Sequence, residues 1–369
     1  MKHLMLICWL CVCLTGCALN PLVALTVPAH PLYVIAGQNA VPGYGSAAIS
    51  LVDRDTWRLI GTRSFQTSYV HQATSNGHAI WFGLAGDVNN DAAIVKNISP
   101  QLQETSTYAS CLEPKHVHLY KQSLIVVCPE FGLSGRVQRI DIASGRVLAE
   151  TEINTQWGSI FVDFSYLVND KIYIEGSSFH PDDTGPMSVI VLDAATLTYQ
   201  KTIHASEILG TNDVITDEHG TIYLLNYSSQ FLEDDGKPFA DVYVFDPQTE
   251  RYIAQPLIQR SPLRGTILGD FLYTVHFTHQ INSPNRPNRV EIHKTNLHTW
   301  EHTYWYYAQE TWEYIGDMTT IDGRIFLTKY HSDDTQDDGV YELNTDTGEL
   351  TQRIHIPAAS LFVDMPTAP

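Results

Sequence analysis

The chain has 369 residues, of which 44% are hydrophobic and 17% charged, and its formal net charge is −19. This composition predicts a folded chain with a large core, and the negative charge argues against nucleic acid or an anionic membrane surface as a direct partner. Length alone allows one large all-β domain or two ordinary domains.

The first 17 residues have the shape of an export signal. Lys2 and His3 precede an apolar run, Leu4 to Val12, that is too short to span a bilayer as a helix. The segment Leu14-Thr-Gly-Cys17 that follows resembles the lipobox of bacterial lipoproteins. The resemblance implies a signal peptide over residues 1–16 and a lipid such as palmitate on Cys17. An ordinary cleaved signal peptide is the alternative.

A lipid on Cys17 predicts both the location of the protein and a membrane as its partner. It would anchor the protein in the cell membrane or the outer membrane, with the folded domain facing the periplasm or the extracellular space. Residues 17–31, which contain Pro21, Pro28 and Pro31, are predicted to be the lipidated tether.

Two cysteines remain beyond the signal and the lipidation site. Cys111 and Cys128 flank a predicted β-hairpin, Lys115–Leu119 and Ser123–Val127, which would bring them close together. Because disulfides persist in exported proteins, a Cys111–Cys128 disulfide is favoured over two buried thiols.

A single pattern recurs from Leu32 onward, in which an apolar strand, a polar turn and a more polar strand follow one another. The steps between successive turns measure 43 to 53 residues. The turns begin at Asp53, Lys96, Asp141, Asp193, Asp246, His293 and Asn344. Seven units at this period predict an all-β, seven-bladed β-propeller over residues 32–364, with four antiparallel strands per blade and a tail at 365–369. A large sandwich or two smaller β domains are the alternatives.

The ring is predicted to close through its C-terminal strand. The first unit lacks an inner strand of its own, whereas the segment Ser360-Leu-Phe-Val-Asp364 matches the inner strand Ser159-Ile-Phe-Val-Asp163 of the fourth unit. We therefore expect Leu361–Asp364 to supply the innermost strand of the first blade. Val23–Val27 is the less favoured candidate for that strand.

The repeat resembles the seven-bladed propellers grouped as YVTN-like or quinoprotein-dehydrogenase-like, many of which are exported. The resemblance covers roughly residues 32–364 and rests on the shape of the repeat. The tryptophan-docking motif of quinoprotein enzymes is not reproduced, since Ser144-Gly145 and Thr347-Gly348 are its nearest echoes and no Trp follows them. The resemblance therefore implies the fold and leaves the activity open.

The inner strands carry ionisable residues that a propeller would place around its central tunnel. Aligned by distance to the next strand, the seven candidates are His71, His116, Asp163, Asp213, Arg264, Asp317 and Asp364. One interpretation is a water-filled tunnel that simply tolerates polar side chains. Another is a site for a small polar ligand or a hard cation such as Ca²⁺, with the four aspartates as ligands and the two histidines as further ligands or base.

The function favoured by these patterns is a lipid-anchored extracytoplasmic scaffold that binds a protein or a small polar ligand at a propeller face. One alternative is a hydrolase or lyase with a tunnel-bound cation, by analogy with propeller lactonases. Another is a carbohydrate or peptide binder that uses the aromatic cluster Tyr304–Tyr307 with Trp312, although such aromatics often pack between blades. Long predicted loops at 176–187, 227–240, 277–288 and 330–339 would emerge on one face. No familiar nucleophile motif is present, and whether the protein is an enzyme stays open.

Overall fold

A computed structural model describes the protein over residues 25–37, 47–65, 70–84, 94–129, 135–153, 160–178, 187–205, 211–226, 242–255, 262–278, 289–308, 313–331 and 337–363. These residues form 28 strands in seven four-stranded antiparallel sheets arranged as a ring. The prediction of an all-β, seven-bladed propeller is confirmed. The described ranges contain no helix that is long and apolar enough to cross a membrane.

Each sheet is one blade, and the strands are numbered along the chain. Blade 1 contains β1 (Pro31–Ala36), β2 (Ala48–Asp53) and β3 (Arg58–Ser64). Blade 2 contains β4 (Ala73–Ser75), β5 (Ile80–Leu84), β6 (Ile94–Ile98) and β7 (Glu104–Ala109). Blade 3 contains β8 (His116–Tyr120), β9 (Ser123–Cys128), β10 (Arg136–Asp141) and β11 (Val147–Glu152). Blade 4 contains β12 (Ile160–Val168), β13 (Lys171–Ser178), β14 (Met187–Asp193) and β15 (Tyr199–Ala205).

The remaining blades follow the same order from the inner to the outer strand. Blade 5 contains β16 (Thr211–Thr216), β17 (Ile222–Asn226), β18 (Val242–Asp246) and β19 (Arg251–Ala254). Blade 6 contains β20 (Pro262–Leu268), β21 (Phe271–Thr278), β22 (Arg289–Asn296) and β23 (His302–Ala308). Blade 7 contains β24 (Glu313–Ile321), β25 (Arg324–His331), β26 (Gly339–Leu343) and β27 (Leu350–His355). The last strand is β28 (Ala359–Phe362).

The C-terminal strand closes the ring, as the sequence predicts. Strand β28 pairs antiparallel with β1, so that blade 1 has the strand order β28-β1-β2-β3. The Ser360 hydroxyl donates to the Ile35 carbonyl at 3.0 Å, and the Val363 amide donates to the Tyr33 carbonyl at 3.1 Å. The strand ends at Phe362, and Asp364 lies outside the described residues.

Burial falls from the second strand of each blade toward the rim. Strands β5 and β9 are buried at every position, whereas the outer strand β11 alternates between exposed and half-buried residues. The second strands are apolar on both faces because each face packs against a neighbouring blade. Between blades 4 and 5, for example, Tyr173 and Val191 pack against Leu224 and Phe245.

The polar turns join the third and outer strands of each blade. In blade 4 the Asp193 carboxylate accepts hydrogen bonds from the Ala195 and Thr196 amides at 3.0 and 2.8 Å. All seven outer hairpins contain a residue with positive φ. These residues are Trp57, Leu102, Gly145, Leu197, Glu250, Trp300 and Gly348. This backbone shape produces the extra residue of a bulged hairpin, which suits the strong twist of the blades.

Two of the predicted turn positions are wrong by a few residues. Strand β22 continues through His293 to Asn296, and the turn follows there; strand β6 likewise continues through Lys96 to Ile98. His293 is buried, with Nε2 at 3.0 Å from Glu291 Oε2. Polar residues within these two strands therefore resemble turn residues in the sequence.

Blade 3 contains a disulfide between Cys111 and Cys128. Cys111 lies on the connection that leads into β8, and Cys128 ends β9. Both residues are buried in the apolar cluster that fills the space between blades 2 and 3. The disulfide therefore links the segment that precedes β8 to the buried strand β9 of the same blade.

The described part of the predicted tether packs on blade 1. Leu25 and Val27 contact the core cluster shared by blades 1 and 2. Leu25 lies directly over Gly61, where an added Cβ would come within 2.5 Å of the Leu25 Cδ1 atom. His30 Nδ1 lies 3.0 Å from Asp55 Oδ1 at the adjacent turn.

Candidate functional site

The central tunnel contains a cavity of about 420 Å³ that we term the first cavity. Every blade contributes to it through its inner strand or the residues just before that strand. Its polar lining includes Gln72, His118 and Ser165 together with five residues that the sequence singled out. Those five are His71, His116, Asp213, Arg264 and Asp317.

The strand register shows which residues share one level of the tunnel. Asp213 is paired with Leu225, Arg264 with Val275 and Asp317 with Thr328, and each follows a bulge in its inner strand. In blade 4 the residue at this level is Phe164, because Asp163 is itself the bulged residue. Counting back from the second strand selected Asp163, one position before Phe164, because the turn of blade 5 is one residue longer than that of blade 4: Thr216 pairs with Ile222, whereas Leu167 pairs with Ile172.

Two other candidates lie off this level. Leu361 occupies the corresponding position in β28, opposite Ile35, and Asp364 falls outside the described residues. His71 immediately precedes Gln72, which lies next to β4. The side chain of Asp163 is also outside the described part of the chain.

The carboxylates of Asp213 and Asp317 connect neighbouring blades. Asp213 accepts from the Val214 amide at 3.0 Å and, through its second oxygen, from the Gly265 amide of blade 6 at 3.1 Å. Asp317 accepts in the same way from the Met318 amide at 2.8 Å and from the Phe362 amide of β28 at 2.9 Å. The bulge before each aspartate turns its side chain toward the next inner strand. Both carboxylates therefore serve the joints between blades.

Arg264 spans three blades from its place in β20. Its Nε donates to the Gly316 carbonyl at 2.8 Å, and its Nη1 donates to the Asn212 and Leu263 carbonyls at 2.6 and 3.0 Å. Gly316 allows β28 to approach closely, since an added Cβ would lie 2.2 Å from the Ser360 carbonyl oxygen. The guanidinium group is thereby held in one orientation by main-chain partners.

Two histidines of the first cavity, His71 and His118, are neutral at neutral pH. Burial, together with the positive charges of Lys115 and Arg264, lowers the pKa of His71 to about 4. Burial alone lowers the pKa of His118 to about 4, and its Nε2 lies 2.8 Å from Ser165 Oγ. His116 Nδ1 lies 3.2 Å from Gln72 Oε1, so the cavity presents imidazoles as hydrogen-bonding groups.

Sequence reasoning missed several lining residues. His118 lies two positions after His116 and so projects on the same face of β8, which was the available signal. Ser165 and Gln72 carry no distinctive pattern, and their roles as partners of His118 and His116 follow only from the pairing of blades.

Of the four aspartates predicted as calcium ligands, only Asp213 and Asp317 have described side chains. In the described part of the chain no three His, Cys, Asp or Glu side chains are arranged to hold a metal ion. The carboxylate oxygens of Asp213 and Asp317 accept main-chain amides. The side chains of Asp163 and Asp364 lie outside the described residues, so the calcium site stays a prediction.

The described aromatic residues of β23 differ in their exposure to solvent. Tyr304 is 47% exposed, whereas Trp305 is half-buried and packs against the core shared by blades 6 and 7. The side chains of Tyr306 and Tyr307, as well as Trp312 and most of the four long predicted loops, lie outside the described residues.

A second cavity of about 1020 Å³ lies beside the turns that join the inner and second strands of blades 5 to 7. It shares Asp213 and Asp317 with the first cavity, and no Lys or Arg is among the described residues that line it. Its acidic residues Glu218 and Asp270 are 87% and 70% exposed, respectively. These charges are therefore well solvated.

Comparison with known proteins finds likeness only in structure. No protein-family model matches the sequence, and no curated protein matches it. A candidate 6-phosphogluconolactonase from Bacteroides fragilis is 13% identical, with a TM-score of 0.62 over 90% of this chain and 98% of that chain. A protein from Lactobacillus plantarum is 12% identical, with a TM-score of 0.58 over 91% of this chain and 100% of that chain. Sqt1 from Saccharomyces cerevisiae is 11% identical, with a TM-score of 0.53 over 89% of this chain and 87% of that chain.

Identities this low show a shared fold and nothing about activity. The three proteins come from two bacteria and a yeast, and they cover nearly the whole chain. One fold can carry many unrelated functions, so the function has to be argued from the site. The chain is a seven-bladed β-propeller.

Proposed function

We propose that the protein is a lipid-anchored, extracytoplasmic propeller that acts as a binding or protein-interaction scaffold. The observation that carries the proposal is the use of the tunnel carboxylates as joints between blades. Asp213 and Asp317 accept amides of the next inner strand, which stiffens the ring. A catalytic carboxylate would instead have to aim at a reacting atom.

The extracytoplasmic address rests on two features. The segment Leu14-Thr-Gly-Cys17 resembles a lipobox, and a buried disulfide joins Cys111 to Cys128. Disulfides form and persist in oxidising compartments, which supports an exported domain. The proposed location is the cell membrane or the outer membrane, with the propeller facing the periplasm or the extracellular space.

Calcium titration separates the scaffold from a hydrolase or lyase with a tunnel-bound cation. We expect no saturable heat and no thermal shift when Ca²⁺ is added to the wild-type protein. Asp213→Asn tests the tunnel, and Asp270→Asn is the matched control at an exposed aspartate. Saturable binding that only Asp213→Asn abolishes would overturn the scaffold proposal in favour of the cation site.

The lipid anchor is tested by metabolic labelling with a fatty-acid analogue followed by membrane fractionation. Cys17→Ser should lose the label and leave the membrane fraction, whereas Cys13→Ser, within the signal, should keep both. Unchanged label and membrane recovery in Cys17→Ser would contradict the anchor.

The scaffold role is tested with a photocrosslinking residue on each face of the ring. Thr278 ends β21 on the face where the sequence predicts the long loops, and Asp270 precedes the same strand at its opposite end. We expect a discrete crosslinked protein band from Thr278 and none from Asp270. Absence of a band from both positions would count against a protein partner.

A further inference from the structure

Two N–H groups of Arg264 donate to no described residue. A guanidinium group has five N–H donors. Three of them donate to the Gly316, Asn212 and Leu263 carbonyls through Nε and Nη1. The two that remain are both on Nη2, and no described residue accepts from them. Since Arg264 lines the first cavity, a rigid cation borders this space with two donors unused within the described structure.

The positive charge of Arg264 acts on His71 in the first cavity. Main-chain carbonyls orient the guanidinium without cancelling its charge. His71 belongs to blade 2, yet the charges of Arg264 and Lys115 both lower its pKa. Asp213 and Asp317 also border the cavity, and each of their carboxylates is stabilised by two main-chain amides. The two described charges that act on His71 are thus both positive, which favours an anion beside it.

Apart from Arg264 and the two aspartates, the lining offers polar hydrogen-bonding groups and apolar surface. Gln72, His116 and Ser165 offer amide, imidazole and hydroxyl groups, while Phe164 and Leu361 offer apolar surface. A volume of about 420 Å³ is within the range of small-molecule sites. One fixed guanidinium, two carboxylates that already accept main-chain amides, several further hydrogen-bonding groups and an apolar wall suit a small organic acid that also carries hydroxyl groups.

We propose that the first cavity binds a small organic anion whose carboxylate or phosphate group accepts hydrogen bonds from Arg264 Nη2. This activity goes beyond the scaffold role and depends neither on the lipid anchor nor on a protein partner. Guanidinium suits both carboxylate and phosphate, because both offer paired oxygen acceptors.

Calorimetry with the folded protein tests the proposal directly. The anionic probes are succinate, gluconate and inorganic phosphate as sodium salts, and the controls are neutral glucose and cationic spermidine. We expect saturable binding of at least one anion and of neither control. Gluconate against phosphate identifies which acidic group is preferred. No anion bound at millimolar concentration, or equal binding of glucose, overturns the proposal.

Arg264→Lys keeps the charge and removes Nη2, and we expect anion affinity to fall about 10- to 100-fold. This variant also loses hydrogen bonds to main-chain carbonyls, which can disturb the fold. Two substitutions at His71 therefore test the proposal without changing Arg264. His71→Glu places a carboxylate within the field of Arg264 and Lys115, where it competes with the ligand, and His71→Gln is its neutral control.

We expect His71→Glu to weaken anion binding about tenfold or more and His71→Gln to change it by no more than about threefold. Equal anion affinities of His71→Glu and His71→Gln, with both variants folded, would overturn the proposal. Failure here leaves the scaffold proposal standing, since that proposal is decided by calcium titration and crosslinking.

Discussion

The two cavities of the tunnel differ in how their charges are held. In the first cavity the guanidinium of Arg264 is fixed by three main-chain carbonyls. In the second cavity Glu218 and Asp270 are largely exposed, on turns at the end of the inner strands. Fixed, partly buried charges select ligands, whereas solvated ones are screened by salt. The two cavities share Asp213 and Asp317, but only the first also has a fixed guanidinium in its described lining, so we expect it to be the more selective of the two although the second is larger.

Removing the closing strand should have the largest effect. Residues 358–369 include β28, which supplies Leu361 and Phe362 to the first cavity and none of the described lining of the second. Without β28, β1 loses its inner partner and the cores on both sides of blade 1 open to water. We expect the truncated chain to lose its cooperative thermal transition in circular dichroism. Deletion of residues 365–369 alone is the control and should leave the transition in place. A chain lacking 358–369 that melts at the wild-type temperature would refute closure by β28.

Removing the disulfide should have the next largest effect. The double substitution Cys111→Ala with Cys128→Ala frees the connection that leads into β8, the strand that carries His116 to the first cavity. For a sequence separation of 17 residues, chain entropy predicts a loss of about 3 kcal/mol in the free energy of unfolding. Urea denaturation measures it, and wild type under reducing conditions should show the same loss. A change below about 1 kcal/mol would show that packing alone holds this connection.

The pH dependence of stability should separate the two cavities. Burial lowers the pKa of His118 to about 4, below its usual value of 6.5, so protons bind the unfolded chain first as the pH falls. The stabilisation is complete above pH 6.5 and is lost progressively toward pH 4. By about pH 4.5 the loss amounts to roughly 2.5 kcal/mol.

His118→Gln tests this dependence through urea denaturation at a series of pH values. Its unfolding free energy should vary less with pH than that of wild type between pH 6.5 and 4. His219→Gln is the matched control, since His219 is 80% exposed beside the second cavity. Parallel pH curves for wild type and His118→Gln would contradict the assignment of this titration to His118.

The smallest effect is expected from single aspartates. Asp213→Asn removes one acceptor oxygen from the joint between blades 5 and 6, and we expect a loss of about 1 to 2 kcal/mol in unfolding free energy. Asp270→Asn at the second cavity should change stability by less than about 0.5 kcal/mol. Equal effects of these two changes in urea denaturation would remove the distinction between fixed and solvated charges.

Much of the fold could be predicted from the sequence because it repeats. Turn residues such as Asp193 act locally, by capping amides two and three positions ahead, so their spacing reveals the blades. The similarity of residues 360–364 to the inner strand of blade 4 likewise predicted the closing strand. Where buried polar groups occur on strands, as at His293, the same letters misplace a turn.

The candidate site was harder to predict because its level depends on the length of the turn between the inner and second strands. This turn is one residue longer in blade 5 than in blade 4, so a residue count matches Asp213 with Asp163 instead of Phe164. The partners of Arg264 are main-chain carbonyls on two other blades, some 50 residues away in either direction. Main-chain groups leave no trace in the order of side chains, so their convergence on one guanidinium could be learned only from the structure.

The hydrogen bond from Ser360 to Ile35 joins residues 325 positions apart in the chain. Blade 1 therefore stays incomplete until nearly the whole polypeptide is present, however early its other three strands have paired. Bringing such distant segments together costs chain entropy that is repaid only at the final step, which slows folding. Completion of the ring is thus timed by the arrival of the last strand, and until then the inner edge of blade 1 remains open to any other strand that can pair with it.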